Sequence, residues 1–354
     1  MDCVLPLKLN GQANIRYYQN NGPEGFESAQ EVSNATFEAD VTSFHASEKV
    51  FIGFLNIAGD GKSHLVRMDE EALVYYPNYG YGQFGAPVSL DVSHVFAHQD
   101  FRLNRLHFAD LDGSGTVDLI VAGLHGIEIY ANQCGNQFAT TPVTIAYPEG
   151  ETYNDYTNSL LFTDVFGNGL TCMIFRKMGP NAQQWVYDFN AGVKPYLMTQ
   201  HSNNMGATTE TTYRSSVHFY LEDQANGVEW FTRAPFPNWS VEAVTVTDAI
   251  NHSVISEAYR YRHSFYDGEE KTFRGYGYAE HVDTITSSDN ASLDSPPSKS
   301  CVWYHNGNPE QDTINAWYEA LEYFMAGEQS SATTTKDTQA QYLTNYKADW
   351  NSIV

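Results

Sequence analysis

A step of 54 residues governs the first half of this chain. The segments FLNIAGDGKSHL, FADLDGSGTVDL and FTDVFGNGLTCM begin at Phe54, Phe108 and Phe162, evenly spaced by 54. A second landmark keeps the same step: VYYPNYGYGQF ends at Phe84 and IYANQCGNQF ends at Phe138. A partial copy, RYYQNNGPEGF, ends at Phe26, which lies 58 before Phe84. Self-similarity at a fixed step means a stack of supersecondary units, because one unit cannot bury both of its faces alone, and a unit of about 50 residues suits a propeller blade. Between the landmarks lie short apolar runs such as Val50–Leu55, Leu73–Tyr76, Leu119–Ala122 and Ile127–Tyr130, punctuated by Gly, Asn, Asp and Pro. Short strands at regular spacing with turn signals predict an all-β fold. Three full units and a fraction are visible, fewer than the four to eight blades of a typical ring.

The central copy also carries chemistry. Asp110, Asp112, Ser114, Thr116 and Asp118 alternate with Gly113 and Gly115 and run into a strand-like segment. Alternate oxygen donors on a curled loop can converge on one centre, and calcium takes six to eight oxygens. Thr116 would contribute its backbone carbonyl. The flanking copies keep only Asn56 and Asp60, or Asp164 and Asn168, with Ala58, His64, Phe166 and Cys172 at the other ligand positions. Two uses fit the central pattern: one calcium site, or a Gly-rich turn whose Asp side chains cap local backbone N–H groups.

The charge balance, 19 basic against 43 acidic residues for a net of −24, argues against nucleic acid and anionic membrane as partners. Solubility, or a halophilic or calcium-rich habitat, accounts for it instead. Cys3, Cys134, Cys172 and Cys301 have neither disulfide-framework nor zinc spacing. The start, MDCVLPLKLNGQ, lacks the basic and apolar regions of a signal peptide. No run reaches the roughly 18 apolar residues of a membrane span. Catalytic fingerprints are missing, and the pairs His107/Asp110, His263/Asp267 and Glu269/Glu270 are read as coincidences. The chain is therefore expected to be non-enzymatic.

Near Lys194 the step stops. Val244 and Val246 alternate with Thr245 and Thr247, and Tyr259 and Tyr261 with Arg260 and Arg262, a period of two that predicts antiparallel hairpins from about 195 to 284. Turns are expected at Asn251-His252 and at Tyr266–Glu269. A polar loop (285–300), a strand (Cys301–Tyr304) and one short helix over Asp312–Ala326 follow, the helix carrying Ile314, Trp317, Leu321 and Phe324 at helical spacing and Gly327 as its stop. The expected domains are 1–193, 194–308 and a helix-plus-tail segment, 309–354.

The loop Asp110–Asp118 with its strand resembles the VCBS/FG-GAP repeats of integrin-like propellers. Three further segments, KPYLMTQHSNNMGATTETTYRSS (194–216), APFPNWSVEAVTVTD (234–248) and YRYRHSFYDGEEKTFRGYGYAEHVDT (259–284), are similar to the middle region of the B component of bacterial Tc toxin complexes, a family shared with the amino-terminal part of the Salmonella virulence protein SpvB. The resemblance implies a partial β-propeller docking on an A-type translocation channel, followed by strands that begin an RHS-type shell, completed by a C-type component, around a toxic effector. It implies an extracellular toxin complex, reached without a classical signal peptide, and no direct membrane insertion. Tyr266, Asp267, Gly268, Phe273, Arg274, Gly275, Tyr276 and Gly277 match the family hairpin, and their expected role is structural. A rival reading is a stand-alone calcium-dependent module for carbohydrates or cell surfaces, with Tyr75, Tyr76, Tyr79 and Tyr81 as a stacking platform.

Overall fold

The computed structural model describes residues 3–9, 12–32, 49–80, 83–98, 100–287, 295–304 and 306–307. These are overwhelmingly strand, paired antiparallel throughout, with one α-helix among the described residues. The all-β expectation holds. The helix anticipated over 312–326 lies outside the described residues. The chain forms two compact units: Met1–Phe166 with Leu170–Leu197, and Gly167–Gly169 with Met198 onward.

Unit 1 is a succession of small sheets. The first contains β1 (Cys3–Leu9), β2 (Gln12–Tyr18) and β3 (Gln30–Val32). The second pairs β4 (Phe51–Leu55), β5 (His64–Met68) and β6 (Ala72–Tyr76). A small hairpin, β7 (Asn78–Gly80) with β8 (Gln83–Phe84), then precedes β9 (Val88–Asp91), which completes the second sheet against β6. The third holds β10 (Leu106–Ala109), β11 (Asp118–Ala122), β12 (Gly126–Tyr130) and β13 (Val143–Ala146). The fourth holds β14 (Asn158–Thr163), β15 (Cys172–Lys177) and β16 (Gln183–Asp188). The step of 54 survives in three dimensions: β5, β11 and β15 start at residues 64, 118 and 172, and β6 and β12 at 72 and 126. A longer turn delays β16.

The segment DLIVA of β11 is apolar without alternation because both its faces are covered. All five residues are buried. Leu119 and Val121 join Val66, Met68, Leu73 and Phe138 in one core. Ile120 and Ala122 join Ile127, Leu160, Met173 and Phe175 in a second. The third sheet is thus sandwiched by its neighbours. Ile120, with no exposed surface, is at the centre of the second core, so Ile120→Ala is expected to cost about 2–5 kcal/mol in denaturant unfolding.

In the third sheet the register aligns His107, Ile120 and Ile129 in a row. The equivalent row of the fourth sheet is Leu161, Ile174 and Val186. Leu161 and Val186 are 56% and 46% exposed. This face has the composition of an inter-sheet contact.

Unit 2 is a six-stranded meander in chain order: β17 (Gln200–Ser202), β18 (Ala207–Ser215), β19 (Trp239–Asp248), β20 (Ser253–Asp267), β21 (Thr272–Ser287) and β22 (Ser295–Trp303). The hairpins expected from 195 to 284 are interrupted by a helix, α1 (Ser216–Ala225). Sequence reading missed α1 because its apolar residues Val217, Phe219, Tyr220 and Leu221 make no single stripe. Ser215 caps it, accepting the Val217 N–H at 3.3 Å. The helix is held by one buried ring, Phe219 against Tyr261 at 5.9 Å, and by charge: buried Asp223 accepts from Arg260 at 2.6 Å, Arg262 at 2.8 Å and Trp230 Nε1 at 2.8 Å. Within this unit Ser215 Oγ also donates to the Gly167 carbonyl at 3.1 Å, and Val217 covers Gly167.

The hairpin motif is built as follows. Tyr266 pairs with Phe273 and Phe265 with Gly275, so Arg274 is the extra residue of a bulge, which Gly275 permits at φ 90°. Asp267 accepts the N–H groups of Glu269 and Glu270, and Arg274 clamps Asp267 and Glu270 at 3.2 and 2.6 Å. Tyr276 bonds Ser240 at 2.8 Å, and the Gly277 carbonyl accepts the Tyr304 N–H. The left-handed residue of the turn is Lys271 (φ 54°), whereas Gly268 is not at a positive φ. The four-residue loop puts its left-handed residue three positions after the turn glycine that the sequence suggests.

Candidate metal site

Residues 110–117 connect β10 to β11, and both strands are fixed by the two cores of unit 1. The loop therefore starts and ends on rigid elements. Asp110 accepts the N–H groups of Ser114 at 3.0 Å and Gly115 at 2.9 Å, while Asp112 accepts Ser114 N–H at 2.9 Å. Ser114 and Thr116 hydroxyls lie 2.9 Å apart. Gly113 and Gly115 take φ 71° and 88°, which turn the amides inward. Asp118, 2% exposed, receives Leu111 N–H at 3.1 Å and Asn132 N–H at 2.9 Å.

Carboxylate oxygens of Asp110, Asp112 and Asp118 lie within 4.8 Å of one another. Burial pushes Asp118 up to about 6, with Asp112 and Asp110 adding repulsion against two opposing amide bonds. Burial also raises Asp110. Burial acts upward on Asp112 too, but hydrogen bonds from Ser114 and from the Tyr196 hydroxyl, 2.9 Å away, outweigh it and hold it low. An all-oxygen set of converging carboxylates and hydroxyls suits a hard cation and not a soft one. Asp110, Asp112 and Asp118, with Ser114 and Thr116, are the residues that would hold calcium, which would supply charge neutralisation and rigidity.

In the flanking loops the same positions serve other ends. His64 replaces Asp118 as the buried acceptor: its Nδ1 takes the Asn78 N–H at 3.1 Å, and its Nε2 lies 3.3 Å from Asp60. Cys172, the third counterpart, is a buried thiol. Among the described residues, three acidic or ligand-type side chains converge at the central loop alone.

Sequence reasoning missed the asparagines that tie the loops together. Asn132 Nδ2 donates to the Ile57 carbonyl at 2.9 Å, in the preceding repeat, and to Val117 at 3.0 Å. Asn190 Nδ2 donates to the Leu111 carbonyl at 2.8 Å, and residues 57 and 111 are again 54 apart. Gly135, at φ 75°, lets the chain pass so close that a Cβ would sit 2.9 Å from the Ala58 Cα. Gly135→Ala is expected to destabilise unit 1 by about 1–3 kcal/mol or more, seen as a shifted denaturation midpoint.

The other sequence candidates stay apart. The His107 ring packs 5.3 Å from Phe162, with burial lowering its basicity. His263 accepts the Phe231 N–H, while Asp267 holds its own turn. The tyrosine platform dissolves: Tyr75 and Tyr76 are 8% and 2% exposed core residues, Tyr79 is exposed, and Tyr81 lies outside the described residues. No helix among the described residues is long and apolar enough to cross a membrane.

The family described as "Insecticide toxin TcdB middle/N-terminal region" matches residues 131–307. The Photorhabdus luminescens Tc holotoxin pore is similar over 90% of this chain, at 30% identity and TM-score 0.74, covering 14% of that chain. The TcdB2–TccC3–Cdc42 crystal structure is similar over 77% at 31% identity and TM-score 0.67, covering 13%. TcdB2–TccC3 without its hypervariable C-terminal region is similar over 86% at 30% identity and TM-score 0.68, covering 14%. The chain therefore spans about a seventh of each of these three solved chains. No curated protein matches it.

Proposed function

The chain belongs to the family of the insecticide toxin TcdB middle/N-terminal region, and from that premise we propose that it is a non-catalytic structural part of a Tc-type toxin complex. The observation that carries this reading is the likeness to the Tc holotoxin pore, which runs through 90% of the chain at 30% identity. Residues 1–193 form part of a propeller that docks on an A-type translocation channel. Residues 194–308 form wall for an RHS-type shell, shared with a C-type component, around a toxic effector. Two features support these roles. The third sheet of unit 1 is covered on both faces while the fourth offers the row Leu161–Ile174–Val186 for a further sheet. In unit 2, β22 has one sheet neighbour, β21, among the described residues. The setting is an extracellular toxin complex.

The test is a graft. Residues 131–307 replace the matching segment of a Tc B component, which is then co-expressed with its C-type partner. A soluble complex that shields its effector from protease is the expected result. A graft that folds by circular dichroism yet leaves the effector exposed would refute the shell role.

The central loop is proposed to bind one calcium ion. Calorimetric titration is expected to give one site, with unit 1 stabilised by about 2.7 kcal/mol when calcium exceeds its Kd a hundredfold. The double variant Asp110→Asn, Asp112→Asn is expected to lose both effects. Equal heats in the variant would show that the binding lies elsewhere.

A further inference from the structure

The segment 228–237, VEWFTRAPFP, follows α1 without regular secondary structure, yet it is pinned along β20. Trp230 is 9% exposed and donates to Asp223 at 2.8 Å. Phe231 N–H donates to His263 Nδ1 at 3.1 Å, and the two rings stack at 4.8 Å with 13° between planes. Ala234 N–H donates to Ser264 Oγ at 2.9 Å. Phe236 packs against Tyr266 at 5.1 Å.

His263 is an unusual residue to find at the centre of this attachment. It is 8% exposed and held at φ 59°, between the ladder pairs Arg262–Tyr278 and Ser264–Tyr276. A non-glycine residue in the left-handed region costs of order 1–3 kcal/mol and persists where its surroundings over-determine it. Its Nδ1 accepts, so the ring is neutral with its proton on Nε2. A second proton would set N–H against N–H at Phe231.

We propose that His263 is an acid-sensitive latch, holding the segment 228–237 on β20 while neutral and releasing it on protonation. The ionisable groups facing the ring are Arg262 on its own strand and Asp223 from α1. The segment's own Arg233 is turned to Tyr220, bonding its hydroxyl at 2.8 Å. Asp223 is already committed to Arg260, Arg262 and Trp230, so it offers the imidazolium little. Burial, with repulsion from Arg262, holds His263 down at about 4, against 6.5 for a solvated imidazole.

The direction follows from linkage. The released form binds the proton more readily, so the latch is at full strength above about pH 6.5 and weakens roughly tenfold per pH unit down to about 4. Below that, no more is lost. The whole window corresponds to a change of about 300-fold in the ratio of held to released segment.

Hydrogen exchange by mass spectrometry on the intact chain, corrected for intrinsic rates, reads this directly. Between pH 6.5 and 4.5 the protection of the Phe231 and Ala234 amides is expected to fall about 40-fold relative to amides of β21. In His263→Asn, whose amide oxygen takes the place of Nδ1 and can accept the same N–H but does not titrate, protection should be independent of pH. Unchanged protection in the parent chain, or the same pH dependence in the variant, would overturn the latch. If the variant does not fold at neutral pH, the parent's imidazole is titrated by NMR. A midpoint near 4 supports the latch and one near 6.5 overturns it.

Discussion

Asp223→Ala is expected to destabilise unit 2 by about 3–5 kcal/mol, because it strips a buried charge cluster of its one anion at the centre. Asp223 is 1% exposed and accepts from Arg260, Arg262 and Trp230. Arg260 and Arg262 are mostly buried, so losing the carboxylate leaves two cations without their main partner. Glu222 sits 3.5 Å from Arg260 and compensates only in part. Burial alone would raise the Asp223 pKa, but hydrogen bonds from Arg262, Trp230 and Arg260 prevail and lower it. A lowered carboxylate contributes stability that is present above its unfolded value, near 3.9, and is lost as pH falls through the lower folded value. Urea unfolding followed by Trp fluorescence checks both points. A loss below about 1 kcal/mol at neutral pH would mean that the cluster does not anchor α1.

Asn132→Ala is expected to cost unit 1 about 3 kcal/mol or more. The side chain is 7% exposed and satisfies three backbone groups at once: the Ile57 and Val117 carbonyls and, through Oδ1, the Gly135 N–H at 2.8 Å. Each buried group left without a partner costs about 1–3 kcal/mol. Asn190→Ala gives up one such bond, to Leu111, and should cost about a third as much. Denaturant melts of the two variants side by side test the ordering. Equal losses would refute the assignment of Asn132 as the principal tie between repeats.

The sequence made the repeating sheets legible because a step of 54 constrains strand starts directly. His64, Asp118 and Cys172 begin equivalent strands although their chemistry differs. The central loop was legible for the same reason, since alternation of oxygen donors is a local pattern. Long-range ties were not. Asp223 lies 37 and 39 residues from its arginines, and nothing in SVHFYLEDQA announces a salt-bridged helix. Asn190 escaped notice because a longer turn before β16 shifts it out of step with Asn78 and Asn132. Tyr196 reaches Asp112 across 84 residues of chain. Tyr75 and Tyr76 looked like a binding platform, but strand alternation cannot say which face a neighbouring sheet will cover.

The proposed docking role of residues 1–193 is tested most directly by hydrogen exchange on the chain with and without a purified A-type channel component. Slowed exchange confined to unit 1, with the β19–β21 amides unchanged, is the expected result. No slowing at a concentration that saturates a known B component, or slowing confined to unit 2, would contradict it.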